Sequence, residues 1–414
     1  MSGSWQMPDL RKNKLKIYIH DFGGHAFPAE MAVALARSGS DVRHSYCADY
    51  VGGKGRLAAD PNSGASLEFV GLSGAKTFNK YSAVWRTIYE LKFGSALRKD
   101  IKASSPDVII LCNSPILSVW IAGIPLNYRN QYIYWHQDIF SVAMKPELES
   151  KFGKSIGGVI HQIFEGAEKQ ILKRAGYVIP IGNAFVERYK QWKLQDLSYE
   201  VIPNWAPIDE IYPVERDNYW SAQQSLKSDV RRLIYTGTLG RKHNPLILKS
   251  LTAYANGTGC ESVMIVVSEG DGAELLSEAT ANDSNFVMRP FQPIEDLSAM
   301  LSAADVAVVI LEPEASLFSI PSKVLSYFAA GKPVVGLMSS DNDAAQAIIA
   351  TGGAVFAPTE LGSREAASWI ASQSDEQLIA IGKRARNFAE TNFMIEAKVE
   401  RFDAIINKVV PGKV

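Results

Sequence analysis

An alternation of strand-like and helix-like segments that runs its course and then restarts near residue 208 decides most of what this 414-residue chain can fold into. LKIYIHDFGG reads as a strand ending in a glycine turn, and AEMAVALARSG as the following helix, with Gly39 near its end. DVRHSYC, SLEFVGL, DVIILCN, QYIYWHQ, GYVIPIG and YEVIPNW read as further strands, with helical stretches between most of them. The pattern then begins again: RRLIYTGTLG is a strand and loop, NPLILKSLTAYA a helix, and SVMIVVSEGDG a second strand with a glycine turn. FVMRPF, DVAVVIL, KPVVGLM and GGAVFAP supply more strands. Such alternation predicts α/β architecture with two doubly wound domains, over 1–207 and 208–393. PNWAPIDEIYPVERD, with three prolines, reads as the link between them. NFMIEAKVERFDAIINKVV predicts a terminal amphipathic helix over 394–414, able to pack back on the first domain.

A doubly wound sheet offers its strand C-termini and the following helix N-termini to ligands, above all to phosphates. Two such domains imply a cleft. Four segments carry residues suited to it. FSIPSKVLSYFAAGKPVVGLM (318–338) predicts a helix beginning about Pro321, capped by Ser319 or Ser322, with Lys323 beside its free N–H groups. YTGTLGRKHNP (235–245) is a glycine-containing loop after a strand, where Thr238, Arg241 and Lys242 would meet the charge that builds on a departing diphosphate. His243 in that loop reads as structural. IYWHQDIF (133–140) places His136 and Asp138 at the end of an apolar strand. HDFGGHAFP (20–28) has Gly23 and Gly24 for close approach of the backbone, but not the G-x-G-x-x-G spacing of a dinucleotide site. SEGDGAEL is a similar turn in the second half.

Taken together, IPNW, YTGTLGRKHNP, the SEGDG turn, FVMRPFQPIEDLSAMLSAADVAVVIL and IPSKVLSYFAAGKPVV resemble family 4 of the retaining GT-B glycosyltransferases. The similarity is greatest to its bacterial surface-polysaccharide branch, including colanic-acid and O-antigen enzymes. It spans nearly the whole chain and is most specific over 201–338. The resemblance implies two Rossmann-like domains facing a central cleft. It implies transfer of a sugar from a UDP- or GDP-sugar to a glycan hydroxyl, with retention of configuration, the acceptor being lipid-linked. By the same resemblance, Gly23 and Gly24 lie near the donor diphosphate, and His136 near the reacting sugar, with Asp138 on the acceptor side. Lys242 binds the donor phosphates with Arg241 as helper. Phe291 stands where backbone groups contact the base, and Pro321, Ser322 and Lys323 form the phosphate-binding helix start. Many relatives also carry Glu-x7-Glu, whose second carboxylate binds the ribose. Here Phe318 and Ser326 occupy those positions; Ser326 can still donate a hydrogen bond, and Glu312 or Glu314 stands just upstream as a substitute.

Other classes are weighed against this reading. A nucleotide-sugar epimerase would need no acceptor, and a scaffold protein would tolerate a degenerate donor site. A nicotinamide oxidoreductase lacks its fingerprint, and no nucleic-acid-binding module is present. Three scattered cysteines (Cys47, Cys112, Cys260) suit neither a disulfide framework nor a metal cluster, so no cofactor and no essential metal is expected. The uncharged stretch Val108 to Tyr128 is broken by Asn113, Ser114, Pro115 and Pro125, and reads as strand, turn and helix rather than a membrane span. Residues 1–207 hold 25 Lys and Arg against 18 Asp and Glu, while the remainder holds 18 against 26. Within the basic half, 76–102 carries seven basic and two acidic residues interleaved with aromatics, and Tyr81, Val84, Trp85, Ile88 and Leu91 approximate one helical face. That segment is a candidate contact for an anionic membrane, giving a cytoplasmic protein peripheral to the inner face of the cell membrane.

Overall fold

A computed structural model describes residues 14–50, 55–57, 66–74, 83–240, 244–313, 315 and 320–410. The chain divides into two units: Met1–Pro203 together with Glu396–Val414, and Asn204–Ile395. In the first, chain order runs β1 (Lys16–Asp21), α1 (Ala26–Arg37), β2 (Asp41–Cys47), β3 (Leu67–Leu72), α2 (Ala83–Ser104), β4 (Val108–Cys112), α3 (Ile116–Ala122), α4 (Ile124–Asn127), β5 (Tyr132–His136), α5 (Phe140–Arg174), β6 (Tyr177–Pro180) and α6 (Asn183–Gln191). The second contains α7 (Tyr219–Gln223), β7 (Arg231–Thr236), α8 (Leu246–Gly257), β8 (Ser262–Val267), α9 (Asp271–Ala279), β9 (Phe286–Arg289), α10 (Leu297–Ser302), β10 (Val306–Ile310), α11 (Lys323–Ala329), β11 (Val334–Leu337), α12 (Asp343–Ala350), β12 (Ala354–Phe356), α13 (Glu360–Ser372) and α14 (Asp375–Asn392). The last helix, α15 (Ile395–Val409), returns to the first unit. There Phe402 meets Trp135 edge-on and Arg401 pairs with Glu200.

Both sheets are parallel and six-stranded, ordered β3-β2-β1-β4-β5-β6 and β12-β11-β10-β7-β8-β9. Counted within its own unit, the second repeats the order of the first. The central strands β4, β5 and β10 are buried along their whole length, which is why VIILC, YIYWH and VAVVI read as unbroken apolar runs. In each sheet the strand order reverses direction between the first and fourth strands, opening a crevice beyond their carboxyl ends. Those crevices lie after β1 and β4 in one unit and after β7 and β10 in the other.

Two expectations change. YEVIPNW is not a strand, although Val178 N–H donates to Ser198 O, and Glu200 and Ile202 N–H donate to Val178 and Pro180 carbonyls. Pro180 has no N–H to return, so a ladder with β6 stops at the single bridge Val178–Tyr199. Ser322 stands at the start of α11 but makes no side-chain cap, because its backbone is already helical (φ −60°, ψ −21°) rather than extended; Ser319 lies outside the described residues. Within the proline-rich segment after 203, Trp205 and Ile211 are buried, and Arg386 donates to the Ile211 carbonyl.

The first core contains two histidines, His20 and His44, both fully buried. Burial lowers each pKa from 6.5 to about 4, and among the described residues neither ring nitrogen of His44 has a hydrogen-bond partner. The unfolded chain therefore binds more protons than the folded one between those values. Stability is full above pH 6.5 and falls as pH drops toward 4, by roughly 3 kcal/mol per ring. His44→Phe should flatten that fall in an acid-unfolding series. An unchanged pH dependence would contradict the assignment.

Candidate nucleotide and acceptor site

In the second unit, β7 ends at Thr236 and the chain turns through Gly237 at φ 97°. Only glycine adopts that conformation cheaply. Leu239, buried in the core, anchors the loop by donating its N–H to Ser268 Oγ and Glu269 O, while its carbonyl receives Gly272 N–H. A Cβ on Gly272 would stand 2.7 Å from that carbonyl, so the second glycine of SEGDG is required for the loops to approach; the first, Gly270, has φ 104°. Thr238 is left exposed above this frame.

Lys323, the first residue of α11, reaches back across Gly237. A Cβ built on Gly237 would lie 3.4 Å from the Lys323 ammonium. Nζ donates to Tyr235 OH at 2.5 Å and sits 3.8 Å from the centre of the same ring. Tyr327, one turn along α11, accepts from both N–H and Oγ1 of Thr236, locking the helix to the strand end. Among the described residues no carboxylate pairs with Lys323. The side chain as a whole is half-buried, but the protein packed around Nζ desolvates it and pulls its pKa from 10.5 to about 7. An arriving anion would reverse that shift by favouring the charged form.

Around this lysine, Pro321 and Ser326 are half-buried and Ser322 is exposed. Glu312 is half-buried just beyond β10, next to β7 in the sheet. Phe291, beyond β9, is 43% exposed, and its N–H points to Glu269 Oε1 at 3.4 Å. Arg241, Lys242, His243, Glu314 and Phe318 lie outside the described residues.

In the first unit, Gly23 and Gly24 follow β1 as expected, and the structure adds two residues that spacing alone did not single out. Asp21 is fully buried, and both its oxygens face His25 Nδ1, at 3.0 and 3.1 Å. Burial alone would raise the Asp21 carboxyl, but the bonds and charge from His25 outweigh it, and the group sits below its ordinary range. Burial would likewise lower His25, yet Asp21, with Asp138 nearby, raises it. The ring passes over Gly23, where a Cβ would fall 1.9 Å from Cε1. Gly24, at φ 67°, donates to Asp21 O. The arrangement holds Nδ1 on a carboxylate and leaves Nε2 without a partner among the described residues, able to exchange a proton. The signal in the sequence is a carboxylate four residues before a histidine, within a glycine turn.

His136 is placed differently from Asp138. Its side chain is wholly enclosed, sharing a hydrogen bond with Tyr189 OH at 2.7 Å, with Nε2 3.7 Å from Glu168 Oε1. It anchors β5 to α5 and α6. Asp138, two residues on, is half-buried and close enough to His25 to act on its charge. Among the described residues no cluster of His, Cys, Asp and Glu could hold a metal ion.

No protein-family model and no curated protein sequence matches the chain. Solved structures do match along almost its full length. Sucrose-phosphate synthase from Thermosynechococcus elongatus superimposes with a TM-score of 0.74 at 17% identity, covering 96% of this chain and 99% of that one. WaaG, a glycosyltransferase involved in lipopolysaccharide biosynthesis, gives 0.66 at 13%, covering 96% and 100%. Anabaena HepE, solved in complex with UDP and glucose, gives 0.65 at 15%, covering 95% and 99%. At such identities the likeness is one of fold. Two parallel six-stranded sheets with flanking helices match the GT-B glycosyltransferase fold.

Proposed function

We propose that the chain transfers a sugar from a nucleoside diphosphate donor, a UDP- or GDP-sugar, to a hydroxyl of a glycan acceptor. The observation that carries this reading is the Lys323 ammonium, without a carboxylate partner among the described residues, lying across Gly237 at the carboxyl end of β7. A cation enclosed beside a glycine loop suits an anion that brings its own charge, and the crevice between β7 and β10 is where a sheet of this order takes ligands. That HepE holds UDP and glucose on the same fold supports the choice of anion.

In this reading Lys323 and Lys242, with Arg241, stabilise the negative charge that grows on the diphosphate as its bond to the sugar carbon breaks. Pro321, Ser322 and Thr238 complete the phosphate cradle. Phe291 borders the base, and Ser326 or Glu312 meets the ribose in place of the family carboxylate. Gly23, Gly24, His25 and Asp138 receive the sugar and the acceptor hydroxyl, while the enclosed His136 serves them by position. Retention of configuration, a lipid-linked acceptor and a role in surface-polysaccharide assembly follow from the resemblance to the bacterial branch of family 4. So does a place on the inner face of the cell membrane. No cofactor beyond the co-substrate enters this chemistry.

Lys242→Ala should reduce transfer by about 10²-fold or more while leaving the melting temperature unchanged. Wild-type turnover in that variant would sink the assignment of Lys242. A second reading, a scaffold with a degenerate donor site, is favoured by one observation: Ser326 stands on α11 where many relatives carry the ribose-binding carboxylate. It requires that no nucleotide bind.

A further inference from the structure

The helix α5 is bent in two. Gly153, at φ 76° and ψ 158°, breaks it into arms over 140–152 and 154–174. The arms run back along each other: a Cβ on Gly157 would stand 2.5 Å from the Leu148 carbonyl, and Phe140 and Ser141 N–H donate to Glu168. At about 1.5 Å per residue the second arm is about 31 Å long, against about 17 Å for a five-residue strand such as β5. The bend therefore projects beyond the carboxyl edge of the first sheet.

This projection carries an apolar stripe that no described residue covers. Ile156, Val159 and Ile163 recur at helical spacing on the second arm and are 62%, 58% and 66% exposed, and Phe152, the last residue of the first arm, is 41% exposed at the bend. Single exposed apolar residues are ordinary; three on one helical face beside a fourth at the bend are not. Lys151 and Lys154 flank it at the bend, both exposed. Nearby acids are Glu147, which is exposed, Glu149, facing Lys145 at 3.9 Å, and Glu165, held by Lys169 at 2.5 Å.

A second exposed set lies on α2. The steps β3 to β4, β4 to β5 and β5 to β6 all run in one direction across the sheet, so right-handed crossovers place α2, α3 and α5 on one face. The contacts agree: Gly94 of α2 packs on Ile121 and the Ser118 carbonyl, and Trp120 Nε1 donates to Ala167 O of α5. Tyr89, Phe93, Leu97 and Ile101 of α2 are buried, leaving Trp85, Ile88 and Leu91 exposed on its first turns, at 63%, 36% and 39%. These turns start, like the second arm of α5, at the carboxyl edge. Lys92, Arg98, Lys99 and Lys102 are exposed farther along. Tyr81 and the side chain of Val84, expected on the same face, lie outside the described residues. Among the described residues no helix is long and apolar enough to cross a membrane.

We infer that the bend of α5 and the first turns of α2 form a seat for the surface of an anionic bilayer, with Phe152, Ile156, Val159 and Ile163 entering the interface. Charge complementarity selects this occupant: apolar side chains edged by exposed lysines, which have no acidic partner among the described residues, match headgroups that are negative above an apolar layer. Sugar transfer does not depend on the seat, nor the seat on sugar transfer, so the two stand or fall by separate measurements.

The test is co-sedimentation of the full chain with vesicles of phosphatidylcholine alone and of phosphatidylcholine mixed with phosphatidylglycerol, at low and high salt. The wild type should sediment with the mixed vesicles and be released by salt. Ile156→Ser with Ile163→Ser should weaken that binding by about 10-fold or more, with melting temperature and nucleotide binding unchanged. Lys151→Ser with Lys154→Ser should also weaken it and reduce the salt effect. A wild type that stays in the supernatant, or that binds both vesicle types equally, would overturn the inference. So would an isoleucine variant that binds like the wild type, or a solution dimer that the isoleucine variant abolishes, which would give the stripe to a second copy.

Discussion

Lys323→Met should abolish detectable nucleotide binding and lower transfer by about 10²- to 10³-fold, yet melt at or above the temperature of the wild type. Both halves of this result have one cause. The Lys323 pKa is drawn from 10.5 to about 7 by desolvation, so the folded protein bears the cost of an enclosed ammonium. Well below pH 7 that cost is present in full, because the group is charged in both the folded and unfolded states. As pH rises from 7 toward 10.5 the folded form sheds its proton first, and the cost fades. The methionine variant should therefore gain most stability near and below neutrality, less the hydrogen bond and ring contact to Tyr235. A lysine kept for packing would show the opposite: a lower melting temperature with binding intact. Measuring melting temperature at pH 6, 8 and 10 beside nucleotide affinity separates the two.

Glu168→Ala is the substitution expected to cost the most stability in the first unit. The carboxylate is fully buried and receives Phe140 N–H, Ser141 N–H and Ser141 Oγ, with His136 Nε2 3.7 Å away. Removing it strands two backbone donors and a hydroxyl in a dry interior, at about 3–5 kcal/mol. The melting temperature of that unit should fall by roughly 10 °C. Because the pair joins the first turn of α5 to its return arm, the projecting bend should loosen as well, visible as faster amide exchange over 140–168. A variant melting within about 1 °C of the wild type would show that water or another side chain replaces the carboxylate.

These two sites differ in how far the sequence announces them. The strands and both glycine loops are legible because buried parallel strands need long apolar runs and tight turns need glycine; VAVVI before a loop and YTG after a strand can hardly be read otherwise. Lys323 is legible by position, through its place at a helix start after a proline. Its enclosure is not, since that depends on Tyr235 and Gly237, far away in the chain. His136 shows the converse. A polar residue ending an apolar strand reads as a ligand group, but α5 and α6 close over it, and closure is a tertiary event. The Asp21–His25 pair was within reach of a local reading, because a turn brings residues four apart together. The bend at Gly153 was not, since it is one of four glycines between 140 and 174 and each is compatible with a straight helix, so only the return contacts of Gly157 and Glu168 decide it.

The central claim is that the second unit binds a nucleoside diphosphate through a lysine that must take up a proton to do so. Calorimetric titration of the purified full chain with UDP, GDP, dTDP and ADP at pH 8, in two buffers of different ionisation enthalpy, tests it most directly. The account predicts that one nucleotide binds, with an apparent enthalpy that differs between the buffers because Lys323 becomes protonated, and that Lys323→Met loses both the binding and the buffer dependence. A folded protein that binds none of the four, or that binds one with equal enthalpy in both buffers, would contradict it.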